Sequence, residues 1–321
     1  MSLTVVIPTY NRPDFLGPAL ESVKRQTIAH HIKKIIVSEN SDNDESRSIC
    51  DAYKDLNIEY IKQPETMSSV AHLSWLFEQA DTEYTAMLHD DDWWYPTHLE
   101  NGISGLNNNS NAVCYFSNFF FAENELLKNV AFHHPNVLSY AGIASNDLDS
   151  MPISFKTICV ICFLYTPFHF SSIIGRSGNL KVTVNDSMKS AKPYYADRIL
   201  YPSLAAQGEL IFNAQPLVGI RKHSNNGESS ITISEKAASH LEGSEKIMKL
   251  ASEKGIDIIN SWQLIKNSCK PHEWREICDI FLGYFGNDNI DKYPIFKQDN
   301  IKYGLPKRIF TKIYSLLKST N

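Results

Sequence analysis

Three scarcities narrow this chain of 321 residues before any motif is read. Charge of one sign is scarce: 31 Lys and Arg stand against 36 Asp and Glu, a net charge of −5, so no basic excess marks a nucleic-acid partner. Cysteine is sparse. The six are scattered, most in apolar surroundings such as "NAVCYF" and "EICDIF", where a thiol behaves as a small hydrophobe. That excludes a disulfide scaffold and points to a reducing compartment. Cys159 and Cys162 form a C-x-x-C pair in "ICVIC", but no second pair completes a zinc site, and a buried strand is the expectation there. Long clean hydrophobic runs are also missing. "MPISFKTICVICFLYTPFHFSSIIG" is broken by Lys156, Pro167 and His169, short of the ~20 apolar residues of a membrane helix. "MSLTVVIPTYNRP" has no basic start and its apolar stretch stops at Pro8, so a cytoplasmic protein without a leader is expected.

What is present is ordinary for a globular protein: 43% hydrophobic and 21% charged residues, enough to bury a sizeable core. "LTVVIP" reads as a strand, "PDFLGPALESVKRQ" as a helix and "IKKIIVSEN" as a strand, a β-α-β unit. The alternation continues through "DESRSICDAYKD", "IEYIKQ", "SSVAHLSWLFEQA" and "YTAMLHDDD". An α/β fold follows, with a mainly parallel sheet and helices on both faces. Later β-rich segments lead to the helix "ADRILYPSLAAQGE" and the strand "LIFNAQPLVGIRKH". After the turn-rich "SNNGESS" the pattern is almost wholly helical, so two units are expected, 1–235 and a helical extension 236–321.

In parallel sheets ligands collect beyond the carboxyl ends of the strands. "PTYNR", "SENSDND" and "HDDDWW" all emerge along that edge. The last is the sharpest signal, because three adjacent carboxylates enclosed by "YTAML" and "WWYP" repel one another unless a cation offsets them.

Taken in order, these motifs resemble the inverting, nucleotide-sugar-dependent glycosyltransferases of the GT-A fold, family 2, over roughly residues 3 to 230. The resemblance implies that Pro8, Thr9, Tyr10 and Arg12 surround the donor nucleotide, with Tyr10 able to stack and Arg12 to neutralise phosphate. Where relatives carry an aspartate that reads base and ribose, this chain has Glu39, followed by the matching Asn40; Ser41, Asp42 or Asp44 of the same loop can start a helix. The acidic triplet implies a divalent cation, Mn²⁺ or Mg²⁺, bridging the donor's phosphates. Asp91 and Asp92 are its expected ligands and Asp90 is expected on ribose, with His89 at the place of the first aspartate of a D-x-D-D motif. The closing "RKH" implies that His223 completes the metal shell and that Arg221 or Lys222 holds the diphosphate. Asp197, opening a helix where relatives carry Glu-Asp, is the expected general base, although Ala196 replaces the Glu; Asp186 is the reserve.

The resemblance therefore implies a nucleoside-diphosphate sugar donor, a uridine one favoured, and a saccharide acceptor, lipid-linked in many relatives, in surface polysaccharide synthesis. Two other readings use the same residues. One is a nucleotide-sugar-binding protein that has lost transfer with its incomplete Glu-Asp pair. The other is a metal-dependent phosphohydrolase, which gives no role to "PTYNR" or Glu39. The tail places Leu305, Ile309, Ile313 and Leu316 on one helical face with Lys307, Arg308 and Lys312 largely off it. Residues 305–318 then either contact the inner face of the membrane or dock on the body of the protein.

Overall fold

A computed structural model describes residues 1–123, 126–130, 150–166, 168–185, 196–223 and 232–297. Residues 124–125 and 131–149, the reserve Asp186, and the tail 305–318 lie outside the described residues. The strands are β1 (Leu3–Thr9), β2 (Ile32–Glu39), β3 (Ile58–Lys62), β4 (Tyr84–Met87), β5 (Trp93–Trp94), β6 (Ala112–Glu123), β7 (Leu126–Val130), β8 (Ser150–Ile153), β9 (Ile174–Arg176) and β10 (Glu209–Lys222). They form one sheet in the order β3-β2-β1-β4-β9-β6-β10-β5, with β7 on β6 and β8 on β10. The pairs β1–β2, β1–β4, β2–β3 and β6–β10 are parallel. β9 runs antiparallel between β4 and β6, and β5 and β8 run antiparallel to β10. The mainly parallel sheet read from the sequence is present. Because β2 and β4 flank β1 on opposite sides, the strand order reverses at β1, the point at which sheets of this kind form a ligand crevice beyond the carboxyl ends.

The helices are α1 (Pro13–Lys24), α2 (Glu45–Ala52), α3 (Ser69–Gln79), α4 (His98–Asn108), α5 (Phe155–Leu164), α6 (Ser177–Thr183), α7 (Ala196–Ala205), α8 (Ile233–Glu253), α9 (Ile258–Ser268) and α10 (Pro271–Phe285). Alternation along β1 shows how the sheet divides the core. Val5 and Ile7 join one cluster with Leu16, Leu20 and Ile103, whereas Val6 joins the other with Phe77 and Phe163. That second cluster runs on through Ile247, Trp262, Trp274, Phe281 and Phe296, so the C-terminal helices share a core with the sheet.

The stretch around Cys159 and Cys162 is a helix, which corrects the expected strand. Ser154 caps it, its side chain accepting from the Thr157 N–H, and Ile158 to Leu164 are all buried. A helix buried all round shows no 3.6-residue period and cannot be told from a buried strand by pattern alone. All six cysteines are free. No helix of the described residues is long and apolar enough to cross a membrane.

One buried charge joins the two halves of the chain. Arg198 on α7 is fully buried and donates to the Cys162 and Phe163 carbonyls at the end of α5. On α8 it donates to His240 Nδ1 at 2.6 Å, the His240 carbonyl at 3.0 Å and Ser244 Oγ at 2.7 Å.

Candidate active site

Three strand ends deliver charged side chains to the crevice. After β1, Asn11 takes a left-handed backbone conformation (φ 53°), which asparagine tolerates better than most residues, and α1 begins two residues later at Pro13. Between them Arg12 meets the turn after β4: Nη2 lies 2.8 Å from Asp90 Oδ1, and Nη1 hydrogen-bonds Asp91 Oδ2. His223, following β10, places Nε2 3.0 Å from that same Asp91 oxygen, and its ring stacks on Phe15 with centroids 4.5 Å apart. Burial opposes ionisation of Asp91, but the hydrogen bond from His223 and the Arg12 charge outweigh it and hold the carboxyl well below the usual range.

Asp90 is the contrasting member. It is completely buried, and although Arg12 and Thr9 are its polar neighbours, neither oxygen receives a well-aligned hydrogen bond. Burial therefore pushes its pKa well above the usual carboxylate range, with Arg12 pulling it down and the Asp91 charge raising it.

Asp92 turns to different partners. Its Oδ1 accepts the Arg221 backbone N–H at 3.1 Å and its Oδ2 accepts the Ser171 hydroxyl. The Arg221 guanidinium sits 5.2 Å from the centroids of both Phe15 and Trp93, with Nε donating to the Asp91 carbonyl at 3.2 Å. Trp93 lies against Gly219, where a Cβ would fall 2.2 Å from the indole. Trp94 is buried and donates its indole N–H to the Ser171 carbonyl at 2.6 Å. The tryptophans thus wall the acidic turn and join it to β10 and to the short turn Phe170–Ser172. The Lys222 ammonium lies 3.8 Å over the Phe121 ring.

At the end of β2 the carboxylate faces inward. Glu39 is fully buried; Oε1 accepts the Ser41 N–H at 3.1 Å and the Ser41 hydroxyl at 2.6 Å, and Oε2 accepts the Ser46 hydroxyl at 2.6 Å. Asn40 clasps the Met67 backbone, donating to its carbonyl and accepting from its N–H, both at 2.9 Å. Glu39 therefore holds the β2–α2 loop from within, and Asn40 ties that loop to the β3–α3 connection. Nearby, Tyr10 is 49% exposed at the mouth of the crevice, Pro8 is half-buried, and the buried Thr9 accepts the Asn40 N–H on its carbonyl at 3.0 Å.

Of the three residues expected on metal, the fold joins Asp91 to His223 and sets Asp92 apart. An Asp–His pair with a neighbouring carboxylate lacking aligned hydrogen bonds offers oxygen and nitrogen donors that fit a divalent cation of the Mn²⁺ kind. Asp197 is the second residue of α7, as its expected place at a helix start requires, but its side chain lies outside the described residues. The sequence reading missed Ser171, a hub for Asp92, His89 and Trp94, because it lies 79 residues from Asp92 in a segment with no motif of its own.

The family model described as glycosyl transferase family 2 matches residues 4–166, half of the chain. The chain is similar to the UDP-Glc:alpha-D-GlcNAc-diphosphoundecaprenol beta-1,3-glucosyltransferase WfaP of Escherichia coli, 25% identical over 141 residues that cover 44% of this chain and 55% of that protein. The stretches matched span 16% to 55% of the curated relatives' own length. Among solved structures, S. aureus TarS 1–349 in complex with UDP-GlcNAc superposes with a TM-score of 0.58 at 13% identity, covering 96% of this chain and 78% of that one. The mannosyltransferase PcManGT from Pyrobaculum calidifontis, in complex with GDP-Man and Mn²⁺, gives a TM-score of 0.52 at 14% identity, covering 98% and 79%.

Proposed function

The chain belongs to glycosyl transferase family 2 and has the GT-A fold, and from this premise we infer that it transfers a sugar, with inversion, from a nucleoside diphosphate to a saccharide hydroxyl. The observation that carries the reading is the meeting of Arg12, Asp91 and His223 at the ends of β1, β4 and β10, beside the buried Asp90. Asp91 and His223 would hold a divalent cation, which supplies charge neutralisation for the departing diphosphate. Arg12, already drawn to two carboxylates, is placed to bind phosphate oxygens. Tyr10 offers an exposed ring to the nucleobase. The crevice wall built by Glu39 and Asn40 shapes the nucleotide pocket through the backbone they hold, not through their own carboxylate or amide.

Asp197 is the base in this reading. Its carboxylate takes the proton from the acceptor hydroxyl as that oxygen bonds to the anomeric carbon. The bond between that carbon and the diphosphate breaks on the opposite face, so the configuration inverts and the nucleoside diphosphate leaves with the electron pair. A UDP-sugar donor is supported by the activity of WfaP and the ligand of TarS, and a lipid-linked saccharide acceptor by the activity of WfaP; we place the product in surface polysaccharide synthesis.

The test is release of nucleoside diphosphate from a panel of UDP- and GDP-sugars, with and without Mn²⁺ and with saccharide acceptors. Turnover is expected to require the cation. Asp197→Asn should lower it by on the order of 10² to 10⁴, and Asp91→Asn by roughly 10³. Tight donor binding with no turnover would leave a nucleotide-sugar-binding protein instead, and phosphate release from simple esters would replace transfer with hydrolysis.

A further inference from the structure

A second set of lone-pair-bearing side chains converges beside the Asp91–His223 pair. His89 Nδ1 and His169 Nδ1 each lie 3.5 Å from Asp92 Oδ2, and the ligand atoms of the three residues all fall within 4.8 Å of one another. The two imidazoles meet edge to face with centroids 5.3 Å apart. Asp92 anchors the group inside the protein at 2% side-chain exposure, whereas His89 and His169 are 25% and 30% exposed, so the cluster opens to water on its imidazole side.

The hydrogen-bond donors around the cluster define the charge it wants. His169 Nδ1 accepts the Ser171 backbone N–H at 3.3 Å, so that nitrogen is unprotonated and its single lone pair is engaged by a long hydrogen bond that a cation would displace. Asp92 Oδ2 is an acceptor too, filled on one side by the Ser171 hydroxyl. His89 Nδ1 faces both Asp92 Oδ2 at 3.5 Å and Ser171 Oγ at 3.2 Å, so either a proton on that nitrogen or a cation in its place holds the group together. Metal bonds of about 2.1 Å in a tetrahedral shell set neighbouring ligand atoms ~3.4 Å apart, close to the spacing seen from each histidine to Asp92.

We propose that His89, Asp92 and His169 form a divalent-cation site of the zinc class, separate from the donor cation held by Asp91 and His223. Two imidazoles and one carboxylate favour Zn²⁺, Co²⁺ or Ni²⁺ over Mg²⁺ and Ca²⁺, which prefer all-oxygen shells. Three protein ligands leave a fourth position for water or a substrate oxygen. The site ties the turn after β4 to the segment before β9, and it needs no nucleotide.

The full chain, stripped with a chelator and freed of nucleotide, is titrated with Zn²⁺ and its metal content measured. Wild type is expected to take up one equivalent, and His89→Ala or His169→Ala to weaken binding on the order of 100-fold. His169→Gln, whose amide oxygen can still accept the Ser171 N–H, serves if the alanine variant misfolds, and should show the same loss. His223→Ala should keep the nucleotide-free equivalent. Zn²⁺ should raise the melting temperature of wild type and His223→Ala but not of His169→Gln. Co²⁺ in the site should give visible absorption without a thiolate charge-transfer band, excluding the free cysteines as ligands. No uptake by wild type, equal uptake by the His89 and His169 variants, or loss of uptake in His223→Ala overturns the proposal. Those results leave the donor reading untouched, because no nucleotide is present.

Discussion

The ends of β2 and β4 each bury a carboxylate, and the two are treated in opposite ways. Glu39 receives three hydrogen bonds from its own loop, and the neighbouring Ser38 hydroxyl is engaged by His72 at 2.7 Å and Gln63 at 2.9 Å. Asp90, equally buried, receives no well-aligned hydrogen bond and shares Arg12 with Asp91. A satisfied buried carboxylate fastens a loop; an unsatisfied one stores electrostatic free energy that a bound ligand can release. The first end is built for shape and the second for charge.

Substitutions at the two ends should therefore shift stability in opposite directions. Glu39→Ala strands the buried hydroxyls of Ser41 and Ser46 and should cost about 3 kcal/mol in denaturant unfolding. Asp90→Asn removes an ill-paired buried charge and should gain about 1 to 2 kcal/mol at pH 8 while weakening nucleotide binding; a loss of stability would break the comparison. The third effect is spread over several pH units and concerns acid. Burial pushes the His72 pKa down to about 4, with the Glu39 charge opposing, so from pH 6.5 towards 4 the unfolded chain binds a proton that the folded one refuses. The stability that neutral His72 secures above pH 6.5 is lost as the pH falls through that window, at about 1 kcal/mol per pH unit. Glutamine at position 72, which keeps an amide near Ser38, should flatten the pH slope by one proton in chemical denaturation series.

The alternation of short apolar runs with amphipathic ones was enough to read the sheet and its carboxyl edge, because each crossover is local in sequence. It was also enough to bring "PTYNR" and "HDDD" to one edge, whereas "RKH" joined them only through the family resemblance. It failed at residues 158–164, where burial on every side erased the helical period. At Glu39 and Asn40 the sequence showed the residue types but not their partners. Their residue types fit a nucleotide site, but what they do is decided by Ser46 and Met67, 7 and 27 residues away. The divergence of Asp91 and Asp92 was equally hidden, since it depends on His223 and Ser171, which only the folded sheet brings beside them.

Arg198 carries a consequence for how this protein can change. Its guanidinium is neutralised by dipoles from α5 and α8 together, so neither side can be traded away alone. Removing a neutral acceptor from a buried charge costs about 1.5 to 3 kcal/mol, a large share of a domain's margin. The helices after residue 232 are thus no detachable cassette. A chimera that grafts a relative's C-terminal helices onto this sheet must import a matching acceptor set for that one cation, or the graft will not hold.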